Sequence, residues 1–248
     1  MLAPVLGLPD GVTALLFDLD GVLTQTAKVH FAAWKQTFDG VLQARGDDKP
    51  FDQADYNAYV DGKPREDGVR DFLASRDIHP DRGNADDPAD APTIFGIGNR
   101  KNDLLLQKIK TAGVETYEGS VRYLDAAVAA GLKRAVVSAS KNTEDVLRVT
   151  GLRDKVEQVV DGNVVTDLGL KGKPAPDPYL EGARRLGVDP SQAAVFEDAL
   201  AGVEAGRAGK FGYVVGVDRV DQADALRQHG ADVVVEDLAE LLDDGGQR

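Results

Sequence analysis

Short apolar runs and longer amphipathic stretches alternate over most of the chain. Residues 12–17 form a brief apolar run ending at Phe17, which is typical of a buried parallel strand. From residue 115 onward, similar runs alternate with stretches of helical periodicity. We predict strands at 134–138, 156–160, 193–196, 213–217 and 231–235, and helices at 120–130, 143–150, 178–186, 200–208 and 238–242. Strands separated by helices predict a parallel sheet with right-handed crossovers.

The stretch between residues 45 and 115 has a different pattern. It is polar, compatible with helix and broken by prolines, and none of it has the apolar run of a buried strand. Helices are predicted at 27–44 and 100–109, and the Asp- and Pro-rich segment 79–96 is predicted to be a mobile loop. The fold class is therefore α/β, a doubly wound parallel sheet formed by residues 1–27 and 115–248, with a helical domain inserted at 28–114.

Composition narrows the function. The 248 residues are 42% hydrophobic, which suffices for one sizeable core and a smaller second domain. The formal net charge is −13 and no basic cluster occurs, which argues against a nucleic-acid partner. The chain contains no cysteine, so disulfides, thiolate metal ligands and a cysteine nucleophile are excluded. The first residues lack the positive region of a signal peptide and no segment has the length of a membrane span, so we expect a cytoplasmic protein without a membrane partner.

Two carboxylates follow the first predicted strand. Asp18 and Asp20 stand one residue apart, and Gly21 allows a sharp turn directly after them. Open α/β sheets bind their ligands at the carboxyl ends of the strands, which places both acids at an expected active site. Taken alone, this motif is equally well read as a strand followed by an Asp-Gly turn.

A hydroxyl-rich loop follows the strand at 134–138. Ser138 to Asn142 read Ser-Ala-Ser-Lys-Asn and lead into a helix, so their hydroxyls and free amides could bind an anion. The alternative is ordinary capping of that helix by Ser or Asn, which for this motif alone carries more weight.

A lysine and two further acids complete the set of polar strand ends. Lys173 lies in a turn stiffened by Pro174 and Pro176, which suits a fixed ammonium, although a solvated lysine is the commoner arrangement. Glu197 and Asp198 end the strand at 193–196, and adjacent carboxylates of this kind suit Mg²⁺. The alternative for Asp198 is capping of the next helix.

The order of these motifs resembles the haloacid dehalogenase superfamily of aspartate-nucleophile phosphotransferases, and the resemblance covers essentially the whole chain. Within that superfamily, the inserted segment resembles the β-phosphoglucomutase family. The matching positions in and before this segment are Thr26, His30, Trp34, Gly62, Arg65 and Lys101. For His30 the alternative is a structural histidine, and for Arg65 and Lys101 it is ordinary surface charge.

The resemblance implies a Rossmannoid catalytic core with an inserted helical cap, and it implies a role for each core motif. Asp18 would be the nucleophile and Asp20 the general acid and base. Ser138 and Lys173 would neutralise the phosphoryl group. One Mg²⁺ would be held by Asp18, Asp20, Glu197 and Asp198, with the contribution of Asp20 coming from its backbone carbonyl.

The resemblance also implies a substrate, a small phosphorylated sugar. The reaction would interconvert β-glucose 1-phosphate and glucose 6-phosphate, with glucose 1,6-bisphosphate as intermediate and activator, in a monomeric enzyme. Substrate-binding residues would be Thr26, His30, Trp34, Gly62, Arg65, Lys101, Ser138, Ala139, Ser140, Lys141 and Asn142. Two other functions remain open: a Mg²⁺-dependent sugar-phosphate phosphatase, and a non-catalytic domain of the same fold.

Overall fold

A computed structural model describes residues 6–242 and divides the chain into two compact units. The core unit runs up to Gln25 and resumes at Glu115, and the helical unit comprises Thr26–Val114. The first boundary between the units follows Gln25, two residues before the predicted boundary after residue 27. Within the described residues, no helix combines the length and the apolar character needed to cross a membrane.

The core unit contains a six-stranded sheet in which every neighbouring pair of strands is parallel. Its strands are β1 Ala14–Phe17, β2 Lys133–Val137, β3 Gln158–Val160, β4 Ala193–Glu197, β5 Tyr213–Val217 and β6 Val233–Val235. The spatial order β3-β2-β1-β4-β5-β6 confirms the predicted doubly wound α/β fold, because the chain builds outward from β1 first on one side and then on the other.

Helices connect the strands of the core unit. They are α5 Glu118–Ala129, α6 Thr143–Val149, α7 Gly162–Asp167, α8 Asp177–Leu186, α9 Leu200–Ala208 and α10 Ala223–His229, and short 3₁₀ turns span Arg153–Lys155, Pro190–Gln192 and Leu238–Leu241. The segments at 162–167 and 223–229 were not predicted as helices, and the helix predicted at 238–242 is the short 3₁₀ turn Leu238–Leu241. The turn at Arg153–Lys155 shortens the predicted strand at 156–160 to three residues.

The sheet is buried on both faces. Leu16 packs with Tyr179 of α8 and Val203 of α9 on one side, whereas Phe17 stacks on Phe196 at 4.6 Å and lies edge-on to Tyr123 of α5. Burial on both faces accounts for the continuous apolar runs, since no position in the central strands faces water.

The helical unit is formed by α1 Thr26–Gln43, α2 Gln53–Tyr59, α3 Arg65–Ser75 and α4 Ile94–Ala112. Its core is an aromatic cluster in which Phe38 contacts Trp34, Phe51 and Phe72 at centroid distances of 4.9, 5.0 and 4.3 Å. As predicted, the described residues of this unit contain no strand.

The Asp- and Pro-rich segment is a loop up to Thr93, as predicted, and hydrogen bonds fix it to α4. Its last three residues belong to α4, whose first turn is capped by the Thr93 hydroxyl. Thr93 also donates to Asp87 at 2.6 Å, and Asn99 of α4 donates to two carbonyls of the segment. The side chains of α4 therefore hold this segment in a hydrogen-bonded turn.

Candidate active site

Strand register brings the predicted catalytic residues together. Phe17 at the end of β1 is level with Val136 of β2 on one side and with Phe196 of β4 on the other. The residues that follow these positions therefore emerge side by side at the carboxyl edge of the sheet. This register explains why Asp18 and Glu197, which lie far apart in the sequence, meet in the fold.

Lys173 is the centre of the site. Its ammonium donates to Asp18 Oδ1 at 2.6 Å, to Glu197 Oε1 at 2.5 Å and to the Val137 carbonyl at 3.0 Å. The lysine is 3% exposed, so water does not compete for these bonds. The loop that presents it contains the cis peptide bond between Lys173 and Pro174. The predicted fixed ammonium is thus present and is oriented by one carboxylate from each of two strands.

Glu197 accepts hydrogen bonds from three donors. Oε1 accepts from Lys173 and from the Tyr179 hydroxyl, the latter at 3.0 Å, and Oε2 accepts from the Ala199 amide at 3.1 Å. Gly202 packs against the same carboxylate so closely that a Cβ there would overlap it. Tyr179 and Gly202 were not identified from the sequence, because nothing in their local pattern shows that a residue of another element approaches them.

Asp198 completes a group of three buried carboxylates. Oxygen atoms of Asp18, Glu197 and Asp198 all lie within 4.8 Å of one another. Gly21 has a φ of +85° and lies directly against Asp198, where a Cβ would overlap the carboxylate. Asp20 lies in the tight turn between the strand and Thr24, and Gly21 closes that turn by donating to the Thr24 carbonyl at 2.8 Å.

The charges of this group are unbalanced. Burial raises the pKa of Asp18 well above its ordinary value, Lys173 opposes this rise, and Glu197 and Asp20 add to it. Burial alone would lower the pKa of Lys173, but Asp18 and Glu197 outweigh it and raise that pKa. The group therefore contains three buried carboxylates and one ammonium, which contacts Asp18 and Glu197. A divalent cation would supply the missing positive charge, and carboxylate oxygens are the ligands that Mg²⁺ prefers, so the donor set fits this ion.

The predicted phosphate loop lies at the end of β2. Ser138 is buried, and its hydroxyl accepts a hydrogen bond from the Ser140 amide at 3.1 Å. The Ser140 hydroxyl in turn accepts from the Asn142 amide, and α6 begins directly afterwards. The side chain of Asn142, the residue before α6, makes no capping bond to that helix. Plain capping by this residue therefore does not account for the loop.

In the helical unit, His30 and Lys101 lie beside Trp34. The Lys101 ammonium is 3.1 Å from His30 Nδ1 and 4.9 Å from the centre of the Trp34 ring. Lys101 is only 4% exposed, which rules out ordinary surface charge as its role. Thr26, the first residue of α1, is also buried.

Arg65 is the first residue of α3 and follows the turn at Gly62, which has a φ of +70°. The arginine side chain is 18% exposed, pairs with Glu66 at 3.5 Å, and lies along Gly98 of α4. A side chain extended along a neighbouring helix is not typical of a freely solvated arginine.

Comparison with known proteins places this arrangement in a family. A family model described as haloacid dehalogenase-like hydrolase matches residues 12–210. The chain is 57% identical over 247 residues to the β-phosphoglucomutase of Mycobacterium tuberculosis, which covers 96% of this chain and 94% of that protein.

Two further proteins give the same result. The β-phosphoglucomutase of Bacillus subtilis is 32% identical, covering 92% of this chain and 91% of its own. The crystal structure of β-phosphoglucomutase from Clostridium difficile superposes with a TM-score of 0.75 at 25% identity, covering 93% of both chains. The predicted resemblance is therefore confirmed, and the chain belongs to the β-phosphoglucomutase family of the haloacid dehalogenase-like hydrolases.

Proposed function

We propose that this protein is a β-phosphoglucomutase, an isomerase that interconverts β-glucose 1-phosphate and glucose 6-phosphate through an aspartyl-phosphate. The observation that carries the proposal is the buried Asp18 carboxylate, 2.6 Å from the Lys173 ammonium and grouped with Glu197 and Asp198. The 57% identity to proteins named β-phosphoglucomutase supports the choice of reaction.

In the proposed first step, an Asp18 carboxylate oxygen attacks the phosphorus of a sugar phosphate. A P–O bond forms to Asp18 while the P–O bond to the sugar breaks. Asp20 donates a proton to the departing sugar oxygen and recovers one from the next sugar hydroxyl that attacks the aspartyl-phosphate. Glucose 1,6-bisphosphate is thus formed from β-glucose 1-phosphate, and returning its 1-phosphate to Asp18 releases glucose 6-phosphate.

The surrounding residues lower the barrier by holding charge in place. Lys173 and the Ser138 loop face the negative charge that builds up on the phosphoryl oxygens. Asp18, Glu197, Asp198 and the Asp20 carbonyl would hold one Mg²⁺. When bound, this ion would neutralise the carboxylates and polarise the phosphoryl group.

For substrate binding we propose the residues of both units that match the family. Ser138, Ala139, Ser140, Lys141 and Asn142 would bind the phosphate that reacts. The helical unit would act as the cap and contribute Thr26, His30, Trp34, Gly62, Arg65 and Lys101, with Arg65 binding the second phosphate. The placement of Lys101 supports this assignment, because its buried ammonium is held beside His30 and Trp34, two other residues that match the family.

The test is an incubation with β-glucose 1-phosphate, Mg²⁺ and a trace of glucose 1,6-bisphosphate. Glucose 6-phosphate and inorganic phosphate are both measured, with the α anomer of the substrate as the matched control. We expect glucose 6-phosphate from the β anomer only. Free phosphate as the main product would instead identify a sugar-phosphate phosphatase, a reading that the hydrolase description of the family model keeps open.

A further inference from the structure

The loop that follows β5 makes contacts that the proposed mechanism does not use. Residues 218–222 connect β5 to α10, and the loop is fixed from within by Asp218. The Asp218 carboxylate accepts from the amides of Val220 at 3.2 Å and Gln222 at 2.9 Å, and its own amide donates to the Val235 carbonyl. The loop is thereby tied to the sheet and has a defined shape.

Two side chains of this loop reach the two loops that carry the catalytic carboxylates. Arg219 Nε donates to the Gly21 carbonyl at 2.8 Å, and Gln222 Nε2 donates to the Asp198 carbonyl at 2.9 Å. Both donors therefore hold main-chain atoms, and each acts on a different catalytic loop.

Arg219 is itself held in place. Its Nη1 donates to the Glu236 carbonyl at 2.5 Å, and its guanidinium carbon lies 3.5 Å from the centre of the Tyr117 ring. The Tyr117 backbone amide donates to the Leu23 carbonyl. The residue that carries this ring is therefore hydrogen-bonded to the loop two residues after Gly21. A guanidinium fixed on a ring and on a second carbonyl loses little further freedom when it binds Gly21.

The two held carbonyls belong to residues that touch each other. Gly21 packs directly on the Asp198 carboxylate, and Asp20 is its neighbour in the chain. A shift of either loop would alter the separation of Asp18, Asp20 and Asp198. Partners behind a metal site commonly orient its ligands in this way, and their loss weakens metal affinity.

We propose that Arg219 and Gln222 are positioning residues that set the spacing between the Asp18–Gly21 loop and the Asp198 loop, and with it the affinity of the site for a divalent cation. The inference rests on the proposed function for the identity of the metal ligands. Neither residue is proposed to touch substrate or metal.

The test uses Arg219→Met and Gln222→Met, which keep much of the side-chain length and remove the donors. Mg²⁺ binding is measured by titration calorimetry on the full protein without sugar phosphate, so the readout does not depend on turnover. We expect each variant to bind Mg²⁺ about 10–100-fold more weakly, the usual effect of losing such a partner. Added Mg²⁺ should restore much of the lost kcat, while KM for the sugar phosphate at saturating Mg²⁺ should be unchanged.

Arg207→Met is the matched control. Arg207 also donates to a backbone carbonyl, that of Gly230, through Nε at 3.1 Å and Nη2 at 2.7 Å, and it pairs with Asp232. Those residues precede β6, so the contact lies at the amino end of the strands, away from the site. The control should lose stability without losing Mg²⁺ affinity. Arg219→Lys, which keeps one donor, should bind Mg²⁺ more tightly than Arg219→Met.

The inference would be overturned if Arg219→Met and Gln222→Met bound Mg²⁺ as tightly as the control Arg207→Met does. If Arg219→Met fails to fold, Gln222→Met decides, because its side chain makes a single bond to the site. A wild-type protein that binds Mg²⁺ but forms no glucose 6-phosphate would overturn the proposed reaction and leave the inference standing. A wild-type protein that binds no Mg²⁺ would overturn both.

Discussion

Asp18 is a buried carboxylate whose charge is stabilised by one ammonium and opposed by two neighbouring carboxylates. Asp18→Asn keeps the shape of the side chain and removes the proposed nucleophile. We expect turnover to fall by at least about a thousand-fold, because covalent catalysis supplies several kcal/mol of barrier lowering. The steady-state rate with β-glucose 1-phosphate measures this.

The same variant should fold normally. In metal-free protein the substitution removes one of the two carboxylates that pair with Lys173 and leaves Glu197 in place. It also removes a carboxylate whose charged form is disfavoured by burial, so the free energy of unfolding should not decrease. Urea unfolding in EDTA provides the check. Turnover within a factor of ten of wild type would show that Asp18 is not the nucleophile.

Tyr179 has a hydroxyl that donates to the buried Glu197 carboxylate, and its ring lies 4.7 Å from the Lys173 ammonium. Burial and the neighbouring Glu197 raise the pKa of Tyr179 above its ordinary value, so the hydroxyl remains a donor at neutral pH. Tyr179→Phe keeps the ring and removes this donor. We expect a stability loss of roughly 1.5–3 kcal/mol, the range for hydrogen bonds to charged groups, measured by urea unfolding of metal-free protein.

Tyr123→Phe is the matched control for that substitution. Tyr123 is also fully buried, but its hydroxyl donates to a neutral acceptor, the Leu6 carbonyl, at 2.8 Å. Loss of this hydrogen bond should lower the free energy of unfolding by only about 0.5–1.5 kcal/mol. Equal losses of stability in the two variants would mean that the hydrogen bond from Tyr179 to Glu197 contributes no more than a bond to a neutral carbonyl.

Helix α8 is stabilised by a carboxylate on its buried side. Glu181 accepts from Arg184 at 2.6 and 2.8 Å and from Arg185 at 2.7 Å, and Arg185 also donates to the Val159 carbonyl of β3. Hydrogen bonds from Arg184 are the main cause that lowers the pKa of Glu181 to about 2. Because Arg184 is 71% exposed, solvent weakens its share of the interaction.

Glu181→Gln should therefore reduce stability in a pH-dependent way. The folded-state pKa is about 2 and the ordinary value is 4.5, so the carboxylate stabilises the fold fully above pH 4.5 and progressively less as the pH falls towards 2. We expect a loss of about 1–2 kcal/mol at pH 7 that shrinks at pH 4 and further at pH 3. Urea unfolding at these three values tests it, and a difference that stays constant with pH would contradict the assignment.

The elements of the core unit were largely predictable because a strand buried on both faces leaves a compact apolar run in the sequence. Helix α7 was missed, because its six residues are too few to establish a period. The start of α4 was placed six residues too late. Its first six residues, Ile94–Asn99, include two glycines that disfavour helix, and Thr93, Asp87 and Asn99 stabilise this part through contacts with a Pro-rich segment.

The site residues that could be predicted lie at strand ends or, for Lys173, in a turn marked by two prolines. Asp18, Ser138 and Glu197 could be found because parallel strands deliver their following residues to one edge. The roles of Tyr179, Gly202 and Arg219 could not be found, since each depends on a contact with a different element at a separation that local pattern does not encode.

At the scale of the whole molecule, Arg65 belongs to the helical unit whereas Asp18 belongs to the core unit. Replacing Arg65 tests whether the enzyme is a mutase or a phosphatase. A mutase must bind a second phosphate while the first reacts, and a guanidinium suits that role. Arg65→Ala should slow the sugar-phosphate reaction by about 10–100-fold, since such a pair contributes roughly 1.5–3 kcal/mol. Phospho-enzyme formation from acetyl phosphate, which has no second phosphate, should be nearly unchanged.

Arg70→Ala is the control for this prediction. Arg70 lies on the same helix and pairs with Asp67 and Asp71, but its side chain is 57% exposed. Neither rate should change in that variant. If both rates fall equally in Arg65→Ala, the arginine supports the fold; if neither falls, the second phosphate is bound elsewhere.

The central position of β1 has a consequence for the order in which the protein is made. β1 is translated first among the strands, yet its neighbours are Lys133–Val136 and Ala193–Phe196. The aromatic cluster of the helical unit, by contrast, is complete once Ile97 has left the ribosome. A nascent chain released after Leu186 would have a finished helical unit and a β1 with a neighbour on one side only. Asp18, the proposed nucleophile, is thus synthesised well before β4, the strand that completes its surroundings.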